Sequence, residues 1–167
     1  MDTGRARRKC LRIPVYLDVR LDLKDGSALK GKVINLSTEG ICVKTDDPLF
    51  AKEMVTAEFI VPDTLNSVQL AGEVVWYRFD RQIGDTDDPL HFSGIKFIDL
   101  EESYRSLIRY YTLKMLYDED LVREQGIDKV LGDVLNLPVK EREMGLNILT
   151  QKGFITEKEK QELISRH

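Results

Sequence analysis

From Ile13 to Leu23 the chain alternates without a break. Ile13, Val15, Leu17, Val19, Leu21 and Leu23 are apolar, and Tyr16, Asp18, Arg20 and Asp22 fall between them. A period of two marks a strand with one buried face. Lys24-Asp25-Gly26 follows, a hairpin loop with glycine where a left-handed conformation is needed. The next run is Ser27 to Asn35, and its register is set by which pairing buries apolar against apolar. Pairing positions that sum to 50 sets Leu21 against Leu29, Val19 against Gly31 and Leu17 against Val33. A two-residue Asp-Gly turn would pair Val19 with Lys32 and Leu21 with Lys30, so the first register is expected. Carried on, it places Ile13 opposite Ser37, Arg12 opposite Thr38, and Gly40 near Cys10.

Four more strands are expected. Residues 40–45 (GICVKT) point Ile41 and Val43 inward, and residues 54–61 (MVTAEFIV) alternate Val55, Ala57, Phe59 and Val61. Residues 67–79 set Val68, Leu70, Val74 and Trp76 on one face, with Gly72 at a bend or a close backbone approach. Residues 80–89 read as a polar loop and 90–100 (LHFSGIKFIDL) as the sixth strand. Six short strands in succession indicate a small antiparallel barrel.

The period then changes. Tyr104, Leu107, Ile108, Tyr111 and Met115 share one face of a helix over about residues 101–117. All that follows reads helical. Asp118-Glu119-Asp120 suits a helix start, Pro138 opens a helix, Gly153 ends one, and Thr156-x-x-Glu159 is a capping box. The fold class is therefore mainly β with α. Residues 1–12 form a flexible basic arm, 13–117 a six-stranded barrel with a packing helix, and 118–167 a helical extension.

Charge sharpens this picture. Residues 1–12 carry Arg5, Arg7, Arg8, Lys9 and Arg12 against Asp2, while the whole chain sums to −4, so the remainder carries −8. In the expected register the arm ends beside Asn35-Leu36-Ser37-Thr38-Glu39-Gly40. Asn35 and Ser37 offer short polar side chains there, and Gly40 exposes backbone and permits positive φ. Guanidinium groups bind phosphate bidentately, stack on planar rings and match the paired acceptors of guanine. A phosphate-bearing purine compound fits such a cluster. Ordering about eight arm residues costs roughly 8–16 kcal/mol at 1–2 each. A charged hydrogen bond returns about 1.5–3 kcal/mol. The arm is therefore expected to be disordered until ligand folds it down.

Arg8-Lys9-Cys10-Leu11-Arg12 followed by Asn35-Leu36-Ser37-Thr38-Glu39-Gly40 resembles the RxxxR and (D/N)xSxxG pattern of the PilZ domain, a bacterial receptor for cyclic di-GMP. GEVVWYRF and FSGIKFIDLEESYRSLIRYY are similar to that family's later strands and closing helix, and the resemblance covers about residues 5–117. It implies that Arg8 and Arg12 grip guanine and phosphate. It implies also that Asn35 and Ser37 bond a guanine edge or phosphate, and that Gly40 admits close backbone approach. Arg7 at its position goes, in that family, with a stacked ligand pair, so two ligands per site are expected. The tail is the departure from the basic domain. Its ILTQKGFITEKEKQEL resembles short helical hairpins of bacterial interaction modules, making it a candidate partner-binding or homo-oligomerising element.

Other classes fit less well. Two cysteines outside any CxxC spacing and two histidines do not make a metal set, and no cofactor is expected besides the cyclic di-GMP ligand. Cys42 reads as a strand residue and Cys10 as an exposed or semi-exposed one, in a reducing, cytoplasmic compartment. No apolar run is long enough for a membrane span. Nothing arranges a histidine as base or nucleophile, so an enzyme is not expected. The alternative is a nucleic-acid-binding barrel using the arm on phosphates, against which the −8 elsewhere counts. Trp76, Tyr77 and Phe79 are read as packing residues rather than a base-stacking surface, and Tyr104, Tyr110, Tyr111 and Tyr117 as helix packing.

Overall fold

The computed structural model describes residues 10–64, 66–80 and 90–166. Six strands appear: β1 (Ile13–Leu23), β2 (Ala28–Leu36), β3 (Gly40–Thr45), β4 (Met54–Val61), β5 (Asn66–Asp80) and β6 (Leu90–Phe97). They close into an antiparallel barrel in the order β1-β2-β3-β6-β5-β4. The alternation read from the sequence is the cause. Each strand sends every second side chain inward, and Ile13, Leu21, Val33, Leu36, Val43, Val61, Val68 and Val74 are buried there.

The hairpin register holds over most of its length. Leu21 pairs with Leu29, Val19 with Gly31 and Leu17 with Val33. Gly26 takes φ +85° in the turn. Between Leu17 and Pro14 the register slips, so Ile13 pairs with Leu36 and not with Ser37. The expected placement of Ile13 falls with that slip, and the ladder ends there, short of the positions expected for Arg12 and Cys10. The slip adjoins Pro14, which has no N–H to give to the ladder. β6 ends at Phe97, short of the expected residue 100, and the polar loop expected after Asp80 lies outside the described residues.

Helix α1 (Glu102–Lys114) follows, finished by a 3-10 turn at Met115–Tyr117. Ile108 and Tyr111 on its expected apolar face are buried, but Tyr110 and Tyr117 are exposed and do not pack as expected. The chain divides into two compact units. One is the barrel unit, Ile13–Arg109; the other holds residues 110–166 and, of the described N-terminal residues, 10–12. Four helices follow α1: α2 (Glu119–Gln125), α3 (Ile127–Leu135), α4 (Val139–Gln151) and α5 (Glu157–Ser165). Leu116, Val122, Val130, Val134, Leu146 and Leu149 are buried in this helical unit. A Cβ at Gly145 would stand 2.8 Å from Val134, so glycine lets α4 and α3 approach.

The expected caps are all present. Asp118 accepts from the Leu121 N–H at 3.1 Å, and Pro138 stands as the N-cap of α4. Gly153 takes φ +74° beyond α4. Its N–H donates to Thr150 and that of Phe154 to Leu149, the paired bonds of a Schellman end. Thr156 and Glu159 form the capping box of α5. Cys10, expected at the surface, is buried at 2 % exposure with Leu11 at 4 %. Both belong with the helical unit, an association that local sequence does not announce.

Candidate functional site

The turn between β2 and β3 is built around Ser37, whose side chain is buried. Its Oγ accepts from the Gly40 N–H at 3.2 Å and the Glu39 N–H at 3.3 Å, and donates to the Gly40 carbonyl at 3.1 Å. Its hydroxyl is thus engaged in shaping the loop. Gly40 is not among the positive-φ residues, so the backbone freedom glycine permits there is not used. Its lack of a side chain serves close approach instead: a Cβ there would collide with the carbonyl of Ile95 across the β3–β6 ladder. The loop carbonyl of Glu39 accepts from Phe97 N–H at 2.9 Å, which ties the turn to β6.

Asn35 begins a row that crosses five strands. Pro14 pairs with Asn35, Asn35 with Cys42, Cys42 with Gly94 and Gly94 with Trp76. Their inward-facing neighbours Leu36, Ile41 and Ile95 are buried, so the row lies on the outer wall. Asn35 and Cys42 are half-buried, and Trp76 is 43 % exposed. A Cβ at Gly94 would strike the indole of Trp76, so that ring lies across the glycine. Trp76 was expected on the buried face. Val75 is an extra residue in β5, between Val74 opposite Ile95 and Trp76 opposite Gly94, and it turns the tryptophan outward. Two adjacent valines before the tryptophan, Val74-Val75, are the sequence sign of that break.

The barrel's three register shifts all adjoin this row. They fall between Pro14 and Leu17, between Val33 and Asn35, and between Val74 and Trp76. Bulges re-aim side chains and gather beside functional sites.

The next outer row along the strands is cationic. Asp18 pairs with Lys32, Lys32 with Lys44, Lys44 with Phe92 and Phe92 with Arg78. Lys32 Nζ donates to Asp18 at 2.5 Å, and that hydrogen bond raises the Lys32 pKa above its ordinary value. Arg78 sits over the Phe92 ring at 5.1 Å and bridges to Asp80 at 3.0 Å.

Of the expected arginines, Arg7 and Arg8 lie outside the described residues. Arg12 directly precedes β1 and is half-buried; its Nε is shut off from solvent with no hydrogen-bond acceptor among the described residues. Asn35, Ser37 and Gly40 are brought together at the β2–β3 turn. Among the described residues no three His, Cys, Asp or Glu side chains gather to hold a metal, and no helix is long and apolar enough to cross a membrane.

A closed six-stranded antiparallel barrel with a bulge-bordered row on its wall and a polar Ser–Gly turn beside it defines a class of small closed β-barrels. The PilZ domain model matches residues 6–114, and the chain belongs to that family. No curated protein matches the sequence significantly. Among solved structures, it is similar to the "PilZ domain with c-di-GMP of YcgR from Escherichia coli", with 14 % identity and TM-score 0.55, covering 71 % of this chain and 94 % of that one. The MrkH–c-di-GMP complex of K. pneumonia shares 13 % identity at TM-score 0.58, over 68 % of this chain and 54 % of that one. The Bacillus subtilis inhibitor of motility MotI/DgrA shares 16 % at TM-score 0.54, over 68 % and 53 %. The chain thus spans about half the length of the latter two.

Proposed function

We propose that this protein is a cyclic di-GMP receptor without catalytic activity, which orders its N-terminal arm over the ligand and signals to a protein partner. The observation that carries the reading is the convergence of three register shifts on the Pro14–Asn35–Cys42–Gly94–Trp76 row. Such a surface presents an amide edge at Asn35, small residues at its middle and an indole at its end. That sequence of groups suits a planar guanine, hydrogen-bonded on one edge and stacked on the ring. Arg8 and Arg12 supply the guanidinium groups for phosphate and base, and Arg7 favours a second, stacked ligand. The enclosed Nε of Arg12 is a donor that an anion would satisfy. Ser37 and Gly40 act by fixing the turn. Family membership and the two relatives whose structures hold c-di-GMP support the same ligand.

The helical extension is the element we assign to a partner or to self-association. Exposed Val139 and Met144 on its surface, with exposed Tyr110 and Tyr117 in the same compact unit, support that role. Its place of action is the cytoplasm, where cyclic di-GMP is made.

Isothermal titration of the full chain with cyclic di-GMP tests the reading. Wild type is expected to saturate, and Arg8→Ala and Arg12→Ala each to weaken binding about 10- to 100-fold. No heat from wild type, or arginine variants that bind as wild type does, overturns it. Single-stranded DNA titrated in parallel should give no comparable affinity.

A further inference from the structure

Lys44 occupies the middle of the cationic row, on the outer wall of β3, two residues from Cys42. It is half-buried, and its ammonium has no hydrogen bond or ion pair to any described residue. Its cross-strand partner on one side is Lys32 and on the other Phe92, over which Arg78 sits. Like charges directly opposite across a ladder destabilise it. Carboxylates relieve only the flanks, Asp18 at Lys32 and Asp80 at Arg78. Lys32 is turned to Asp18 and stands over the Tyr16 ring at 4.9 Å, and Arg78 is turned to Asp80, so of the row's three cations only Lys44 has no counter-charge among the described residues. A half-buried cation without a counter-charge is one that an anion completes.

Two residues along a strand span about 6.7 Å. An ammonium at Lys44 therefore stands roughly one nucleotide's breadth from the Asn35–Trp76 row, on the same wall. Cyclic di-GMP carries its two phosphates on opposite sides of a ribose–phosphate ring. A guanidinium clasp that holds one phosphate leaves the other pointing elsewhere.

We propose that Lys44 is a phosphate contact of this site, holding the second phosphate of the dinucleotide bound on the neighbouring row. The inference rests on the cyclic di-GMP reading above and adds a specificity determinant to it. A lysine at this place favours a ligand with two separated phosphates over a mononucleotide, whose single phosphate the arginines take.

The test uses the full chain, with Lys44→Ala, Lys44→Glu and Lys44→Arg titrated with cyclic di-GMP and with GMP. Lys44→Ala is expected to weaken cyclic di-GMP binding about tenfold and Lys44→Glu further, while Lys44→Arg stays within about threefold of wild type. Affinity for GMP should not change in any of them. Without ligand, Lys44→Ala should melt no lower than wild type, because the Lys44 ammonium holds no counter-charge in the free protein. If wild type binds cyclic di-GMP, Arg12→Ala weakens it and Lys44→Ala and Lys44→Glu do not, the Lys44 inference falls and the receptor reading stands. If wild type does not bind, both fall. A lower melting point for Lys44→Ala, with affinity not restored in Lys44→Arg, makes Lys44 structural and also overturns the inference.

Discussion

The hydroxyl of Ser37 and the peptide of Gly40 hold one another: the Gly40 N–H donates to the hydroxyl at 3.2 Å, and the hydroxyl donates to the Gly40 carbonyl at 3.1 Å. The backbone N–H of Ser37 reaches the same carbonyl at 3.0 Å. Ser37→Ala removes the side-chain half of this lock and strands buried polar groups. It should cost about 1–3 kcal/mol of barrel stability. Chemical denaturation reads this directly, and a midpoint equal to wild type would dismiss the structural role given to Ser37. Ligand affinity should fall with it although the side chain is buried.

Gly40→Ala tests close approach against backbone conformation. Its Cβ would meet the Ile95 carbonyl, and a carbonyl in a ladder cannot swing aside as a side chain can. Overpacking of this kind costs about 1–3 kcal/mol. Gly26→Ala is limited differently: it has open space around it but a φ of +85°. Both should destabilise, but only Gly40→Ala should disturb the β3–β6 amide resonances.

Trp76 is the single tryptophan, so its emission reports on the outer row alone. Cyclic di-GMP should quench or shift that emission. Trp76→Ala should weaken binding by roughly 5- to 150-fold, the worth of one stacked base at about 1–3 kcal/mol. Gly94→Ala should displace the indole and move the free protein's emission while the barrel stays folded. Emission indifferent to saturating ligand would remove Trp76 from the site.

Much of this architecture was legible in the chain. The alternation from Ile13 to Leu23 and the preference for apolar partners fixed the register from Leu17 to Leu21. Helix ends in the tail were legible because caps are local: Asp118, Gly153 and Thr156 act within one turn of themselves. The bulges were less so: Val74-Val75 breaks the alternation of β5, but that one residue is surplus shows only against the neighbouring strand's count. Trp76 was therefore placed inward and Ile13 opposite Ser37. The burial of Cys10 was hidden for a related reason, because the residues it clusters with follow it by about a hundred positions. The turn motif was readable as chemistry, but not the engagement of the Ser37 hydroxyl within the turn itself.

The capping box of α5 makes the tail sensitive to acid. The Glu159 carboxylate accepts from the Thr156 N–H at 2.7 Å and from its hydroxyl at 2.8 Å, and these bonds hold its pKa below the ordinary glutamate range. A depressed carboxylate pKa means the unfolded state binds the proton more readily. The contribution is therefore complete above the ordinary glutamate range and is lost as pH falls through the lowered value. Circular dichroism from neutral to acid pH should show helix loss that is shallower in Glu159→Gln. Thr156→Ala should cost about 1 kcal/mol at neutral pH. Identical acid profiles for wild type and Glu159→Gln would discount the cap.

Ile34 in β2 and Val75 in β5 are each one residue more than the partner strand counts. Before Val75, even-numbered positions such as Val68 and Val74 face the interior; after it, Tyr77 pairs with buried Ser93. The slip changes the parity of the strand. Losing Val75 would straighten the ribbon without reversing any side chain downstream, whereas losing Ile34, which faces Val15 and Tyr16 of β1, would widen the slip on that side, and losing a residue outside the bulges would turn the strand inside out. Length variation in this barrel is therefore tolerable at Val75, where one codon kept or lost reshapes the outer row around Trp76 while the core stays as it is.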